Sequence, residues 1–223
     1  MKVVEIFNSI DGEGKRAGLP CTFIRLFGCN LKCSYCDSRY ACEIDENGVG
    51  NYVVMSVSEI VDKVKTLGCP NITVTGGEPL IHDGIRQLIK ALLDEGCWVN
   101  IESNGTKPVI PDLEEYANDG QLFYTMDYKT NCSGMTDKMY AGSILTLKHT
   151  DILKFVVGSL DDLNQALQVV EKYGPKASIY VSPVFEQVEA CEIVNFIKQH
   201  KLWDWKVQLQ LHKYIYPADE RGV

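Results

Sequence analysis

The sequence predicts an α/β protein built around a largely parallel sheet. Short apolar runs rich in Val, Ile and aromatic residues alternate with amphipathic segments, and the amphipathic segments fall between the runs. Strand–helix–strand alternation implies right-handed βαβ units. A partial (β/α) barrel with a reduced number of helices, or a doubly wound sheet, follows. Too few helices are readable for a complete eightfold barrel.

The elements read in order as follows. Strands are expected at residues 3–7 and 21–27. Ser58 is expected to cap a helix carrying Ile60, Val61, Val64 and Leu67 on one face. A strand at 71–75 leads to a helix capped by Asp83 and carrying Ile85, Leu88, Ile89, Leu92 and Leu93. Strands at 97–102, 122–126 and 152–157 follow. A third helix starts at Asp161 or Asp162, with Leu163, Ala166, Leu167 and Val170 apolar. After a strand at 177–181, a fourth helix spans 188–200 with Cys191, Val194 and Ile197 inward. A last strand is expected at 206–211.

With 223 residues, the chain suits one domain, 1–223. A net charge of −8 argues against a nucleic-acid partner, which asks for a basic surface. No run is long and apolar enough to span a membrane. The apolar patch at the N-terminus is broken by Glu5 and Asn8, so no signal peptide is expected and the location expected is cytoplasmic. Nine cysteines in such a chain point to metal or redox chemistry more than to disulfides.

Three of them, Cys29, Cys33 and Cys36, form a C-x3-C-x2-C loop directly after the strand at 21–27. Tetrahedral zinc asks for a fourth ligand at similar spacing, and no second C-x2-C follows. Three thiolates with one open position suit a [4Fe–4S] cluster. Of the remaining six, Cys21, Cys42, Cys69, Cys97, Cys132 and Cys191, most read as small hydrophobes. Thr75-Gly76-Gly77-Glu78-Pro79 and Ile101-Glu102-Ser103-Asn104-Gly105-Thr106 each close a strand, where parallel β/α folds gather ligands. Taken alone, either is as readily a structural loop.

The cysteine loop resembles that of the radical S-adenosylmethionine (SAM) superfamily, and Gly76-Gly77-Glu78-Pro79 resembles its GGEP motif. Ser9-Ile10-Asp11-Gly12-Glu13-Gly14, Phe23-Ile24-Arg25-Leu26-Phe27-Gly28-Cys29, Cys36-Asp37-Ser38 and Gln210-Leu211-His212-Lys213-Tyr214 together resemble the 7-carboxy-7-deazaguanine synthase family, with Asp11 where that family usually has Gln. The matches run over essentially the whole chain; Asp127-Tyr128-Lys129 is a weaker one, standing where many members have S-P-K. The resemblance implies a radical SAM-type partial barrel with its cluster loop at 28–38 and a short C-terminal tail over the substrate. It implies a carbon–nitrogen lyase that contracts the ring of 6-carboxy-5,6,7,8-tetrahydropterin, releasing ammonia, for deazapurine and queuosine synthesis. The cluster, SAM and Mg²⁺ are the implied cofactors, a flavodoxin or ferredoxin the electron donor, and a homodimer the assembly.

Residue by residue, the resemblance places Cys29, Cys33 and Cys36 on iron. It places Tyr35, Asp37, Gly77, Glu102, Asp127, Tyr128 and Lys129 at SAM, and Ser38 on Mg²⁺. The substrate falls to Ile10, Asp11, Gly12, Glu13, Arg25, Thr75, His212 and Val223. The residues themselves leave alternatives open. Arg25 can grip a carboxylate bidentately or sit in a salt bridge. The Asp11–Gly14 segment can be a simple turn, Ser38 a cap and His212 a satisfied structural histidine. A glycyl-radical-enzyme activase shares the cysteine spacing, and a purely structural iron–sulfur or zinc protein is the third reading.

Overall fold

The computed structural model describes residues 1–113, 115–116, 119–217 and 220–222. Its centre is one nine-stranded sheet: β1 (Lys2–Ile10), β2 (Pro20–Leu26), β3 (Val53–Val54), β4 (Asn71–Gly76), β5 (Trp98–Ser103), β6 (Leu122–Lys129), β7 (Ile152–Val157), β8 (Ser178–Pro183) and β9 (Lys206–Val207). The order is β3-β1-β2-β4-β5-β6-β7-β8-β9, with β3 and β9 at the two ends, so the sheet curls without closing. From β2 onward all neighbours are parallel, whereas β1 runs antiparallel to both β2 and β3. The sequence pattern predicts the parallel part. It misses the antiparallel edge, because residues 11–19 form a turn with no helix to carry a crossover.

The helices are α1 (Val57–Leu67), α2 (Ile85–Asp94), α3 (Ala141–Thr146), α4 (Leu160–Tyr173), α5 (Ala190–Gln199) and a last turn, α6 (His212–Ile215). Their apolar faces meet the outer face of the sheet. Ile60, Val64, Leu88, Ile89, Leu92, Leu163 and Ile193 are buried against strand residues such as Ile24, Ile72, Val74, Val99, Ile101 and Phe155. Along each strand the alternate residues face the other way, into the concave side, and these are the polar ones.

Several expected details shift. The α1 cap is Ser56, not Ser58; its hydroxyl accepts from the Glu59 N–H (3.2 Å) while the Glu59 carboxylate accepts from the Ser56 N–H (2.7 Å), a reciprocal capping box. Gly84, not Asp83, precedes α2, and Ser159, not Asp161 or Asp162, caps α4. Asp162 is instead buried, its carboxylate accepting from the Gly158 and Cys132 N–H groups. In α5 the buried residues are Ile193, Phe196 and Ile197, so Cys191 and Val194 point outward rather than in. The last strand stops at Val207, and His212 opens α6 instead of ending a strand.

Asp11 departs furthest from expectation. Its side chain is buried and does not line the cavity; it sits deeper on the concave side, near the N-terminal ends of the strands. It accepts from Arg16 Nε at 2.7 Å, from the Thr73 hydroxyl at 2.6 Å and from the Cys21 thiol at 3.2 Å. Arg16 spends its remaining donors on the Trp98 and Ile72 carbonyls and on Thr73 Oγ1. The pair therefore ties the 11–19 turn to the first residues of β4 and β5. Breaking one partner of a buried ion pair typically costs about 3–5 kcal/mol. Arg16→Met should lose stability on that scale in urea denaturation of the apoprotein; an unchanged midpoint would contradict this role.

Candidate active site

The concave face opens at the carboxyl ends of the parallel strands into a cavity of about 1000 Å³. Of the residues singled out from sequence, Ile10, Gly12, Glu13, Arg25, Cys29, Cys33, Tyr35, Cys36, Asp37, Ser38, Thr75, Gly77, Glu102, Asp127, Lys129 and His212 all line it. Asp11 does not, for the reason above. Nor does Tyr128: strand alternation turns its ring to the helix side, where it packs on Phe155 with centroids 5.7 Å apart. Val223 lies outside the described residues.

The cysteine loop is braced by the two loops beside it. The GGEP glycine Gly77 lies so close to the loop's start that a Cβ there would sit 2.0 Å from the Gly28 carbonyl. Glu78 turns away from the cavity. Its carboxylate accepts from the N–H groups of Leu80 (2.9 Å) and Asn104 (2.5 Å) and from the Ser103 hydroxyl (3.1 Å), joining the β4 and β5 loops. The Asn104 amide in turn donates to Cys29 Sγ at 3.5 Å and to Asn30 Oδ1 at 2.9 Å. From the other side, the Ser34 N–H donates to the Ser133 carbonyl.

Cys29 is held ready as a thiolate. A hydrogen bond from Cys42, with others from the Leu31 N–H and the Asn104 amide and the charge of Lys129, lowers it to about 6 against the effect of burial. Burial pushes Cys33 and Cys36 up. Cys42, one of the six remaining cysteines, lies at the cavity wall and is not a core hydrophobe. The three thiols on one wall, with one already polarised, fit a cluster ligated by three cysteines. The Tyr35 hydroxyl is buried without a hydrogen-bond partner among the described residues, as expected of a group awaiting a bound molecule. The Ser38 hydroxyl donates to Asp37 Oδ1 at 2.9 Å, leaving its own oxygen lone pairs for a hard cation.

The floor carries alternating charges. Lys154 lies 2.9 Å from Glu13 and 3.3 Å from Asp127, and Lys129 lies 2.7 Å from Asp127. These partners raise both lysines and lower Asp127, each against its own burial. Lys154 is buried. Glu102 beside them is pushed up to about 7 by burial, opposed by Lys154 and by a hydrogen bond from Thr75.

Sequence reasoning missed several residues. Phe7 and Phe23 stack at 5.3 Å along one wall, a pairing that period-two alternation of the first two strands would have shown. Gln208 clamps the 11–14 turn, accepting from the Gly14 N–H (2.8 Å) and donating to its carbonyl (3.1 Å). No sequence signal marks it. His212 packs against Gly12, where a Cβ would come within 2.2 Å of its Nδ1 and displace the imidazole, and the Leu211 N–H donates to the Gly12 carbonyl, so the C-terminal segment docks on the turn.

A family model of the Radical SAM superfamily matches residues 23–139, the stretch that holds the cysteine loop, GGEP and the Glu102 and Asp127 strands. Among curated proteins, a 7-carboxy-7-deazaguanine synthase of Clostridium acetobutylicum is 42% identical, over 100% of this chain and 99% of its own. One of Methanospirillum hungatei is 38% identical over 96% of this chain and 85% of its own. The crystal structure of QueE from Escherichia coli superposes with a TM-score of 0.74 at 21% identity, covering 94% of this chain and 93% of the other. A SAM-bound structure of SuiB from Streptococcus suis matches the fold at TM-score 0.55 and 12% identity, covering 88% of this chain and 48% of the other. The chain belongs to the radical SAM superfamily and, within it, to the 7-carboxy-7-deazaguanine synthase family. That membership implies a [4Fe–4S] cluster and SAM.

The raised Glu102 has a consequence for stability. Its folded value of about 7 lies above its ordinary 4.5. The protonated form is favoured in the fold, so the wild type loses stability as pH rises from about 4.5 to about 7, and no further above that. Glu102→Gln should therefore gain on the wild type across that window, by on the order of 2–3 kcal/mol, and run parallel to it above. Equal pH dependence of the two proteins in chemical denaturation would contradict the burial of this carboxyl.

Proposed function

We propose that this chain is a carbon–nitrogen lyase that converts 6-carboxy-5,6,7,8-tetrahydropterin to 7-carboxy-7-deazaguanine with loss of ammonia. The observation that carries the reading is one cavity joining the three-cysteine wall to a lining suited to a flat, polar, anionic heterocycle, in a chain 42% identical to a synthase of that name over its full length. When bound, the [4Fe–4S] cluster and SAM would supply radical chemistry for hydrogen abstraction at C6 of the pterin.

The residues of the chain bind, orient and exclude water. Cys29, Cys33 and Cys36 hold the cluster. Tyr35, Asp37, Gly77, Glu102, Asp127 and Lys129 border SAM. The Phe7–Phe23 stack gives the ring a flat apolar face. Ile10, Gly12, Glu13, Thr75 and His212 surround its polar edges, and Glu13 has a buried carboxylate oxygen without a hydrogen-bond partner among the described residues to receive a guanidine-like N–H. Arg25 grips the substrate carboxylate. Ser38 would hold Mg²⁺, which would supply charge neutralisation beside the substrate. Holding the reacting atoms in one orientation out of water is the protein's share of catalysis.

The same reading gives a homodimer in the cytoplasm, drawing its electron from a flavodoxin or ferredoxin. Exposed Ser34, Lys32 and Arg39 bring the cysteine loop within a donor's reach. An activase of glycyl-radical enzymes is less well supported, since the full-length relatives above are named 7-carboxy-7-deazaguanine synthases. No helix of the described residues is long and apolar enough to cross a membrane.

Anaerobic reconstitution followed by assay with the carboxypterin tests the proposal. The wild type should form the deazaguanine and ammonia in equal amounts, and Cys33→Ala should form none. Absence of product from the cluster-loaded wild type would overturn the reading. Ser38→Ala should flatten the response of turnover to added Mg²⁺; an unaltered magnesium titration would remove Ser38 from the metal.

A further inference from the structure

Arg25 lines the cavity, and its charge is matched by Glu5, a carboxylate that does not itself line it. Its Nε donates to Glu5 Oε1 at 2.7 Å, and that oxygen also accepts from the Tyr40 hydroxyl at 3.0 Å. The Arg25 guanidinium lies over the Tyr40 ring at 5.7 Å, and the Arg221 guanidinium lies on the same ring at 4.2 Å. The terminal nitrogens of Arg25 make no hydrogen bond among the described residues.

The backbone is built to place Glu5 there. Val3 pairs with Leu26, but Glu5 rather than Val4 pairs with Arg25, so β1 carries one extra residue at this point. Without that bulge, strand alternation would set Glu5 opposite Ile24, on the apolar face that meets the helices. With it, Glu5 joins Arg25 and the Phe7–Phe23 pair on the concave side. Bulges commonly serve to re-aim one side chain beside a site.

We infer that Glu5, braced by Tyr40, is the positioning residue that fixes the Arg25 guanidinium so that its two terminal nitrogens meet the substrate carboxylate as a preformed fork. This rests on the proposed function, in which Arg25 takes that carboxylate. A free arginine side chain surrenders about 2 kcal/mol of rotamer entropy when ordered, and a partner that orders it beforehand spares the ligand that cost. The charge of Glu5 works in the opposite direction, since a second carboxylate repels the ligand. The inference is that orientation outweighs repulsion.

The test is the affinity of cluster- and SAM-loaded, unreduced protein for the carboxypterin, by anaerobic calorimetry. Glu5→Ala should weaken binding about tenfold, while Glu5→Gln, which keeps an acceptor for Nε, stays within about threefold of the wild type. In an Arg25→Ala background Glu5→Ala should change the affinity less than about twofold. The affinity for SAM should not move in any variant. Tighter binding by Glu5→Ala, equal effects of Ala and Gln, or an undiminished loss without Arg25 would each overturn the inference. A wild type that binds the carboxypterin while these variants behave so would refute Glu5 alone; a wild type that neither binds nor converts it would refute the function, and the inference with it.

Discussion

The alternating line Glu13–Lys154–Asp127–Lys129 is the interaction on which the rest of the cavity depends. A lone buried lysine would shed its proton or draw water to itself. Set beside carboxylates, both lysines are raised and Asp127 is lowered, so these three stay charged. The line joins three separate parts of the chain: the N-terminal turn through Glu13, the end of β6 through Asp127 and Lys129, and β7 through Lys154. It thereby holds the turn near the carboxyl ends of the strands, while Arg16 and Asp11 hold the same turn at the start of β4 and β5. Residues 11–16 are thus pinned at two levels of the sheet, and the short connection between β1 and β2 becomes a wall of the site.

The second constraint is mutual bracing of loops. Each strand-end loop is short, and none could keep its shape alone. Glu78 joins the β4 loop to the β5 loop, Asn104 joins the β5 loop to the cysteine loop, and Gly77 allows the β4 loop and cysteine loop to touch. A conventional ligand role for Glu78 would waste this arrangement: its oxygens are spent on backbone N–H groups and a serine. The cysteine loop is consequently set by its neighbours before any metal is present, which lowers the ordering cost of loading it.

Much of the fold was readable because it depends on periodicity. Parallel strands buried on both sides and helices with one apolar face announce themselves in the sequence, and β4 through β8 and the four main helices fall close to where the pattern puts them. The errors fall where periodicity says nothing. Caps depend on which of several adjacent polar residues takes the N-terminal geometry, so Ser56 and Ser159 displaced Ser58 and Asp161. The antiparallel edge and the bulge at β1 are matters of register, and a one-residue shift there reverses which side chains face the cavity. Most site residues were readable through motifs. Asp11 and Tyr128 were misplaced because a motif gives a position in the chain and not the direction of a side chain. Gln208 and Glu5 act through bonds to residues far off in sequence, which no local pattern records.

The central claim is that this cavity sets C6 of a carboxypterin against the 5′ carbon of SAM, for a hydrogen to pass out and back. Carboxypterin deuterated at C6 measures that directly. After partial turnover, SAM recovered from the mixture should carry deuterium at its 5′ position. SAM recovered free of deuterium while product accumulates would contradict the account.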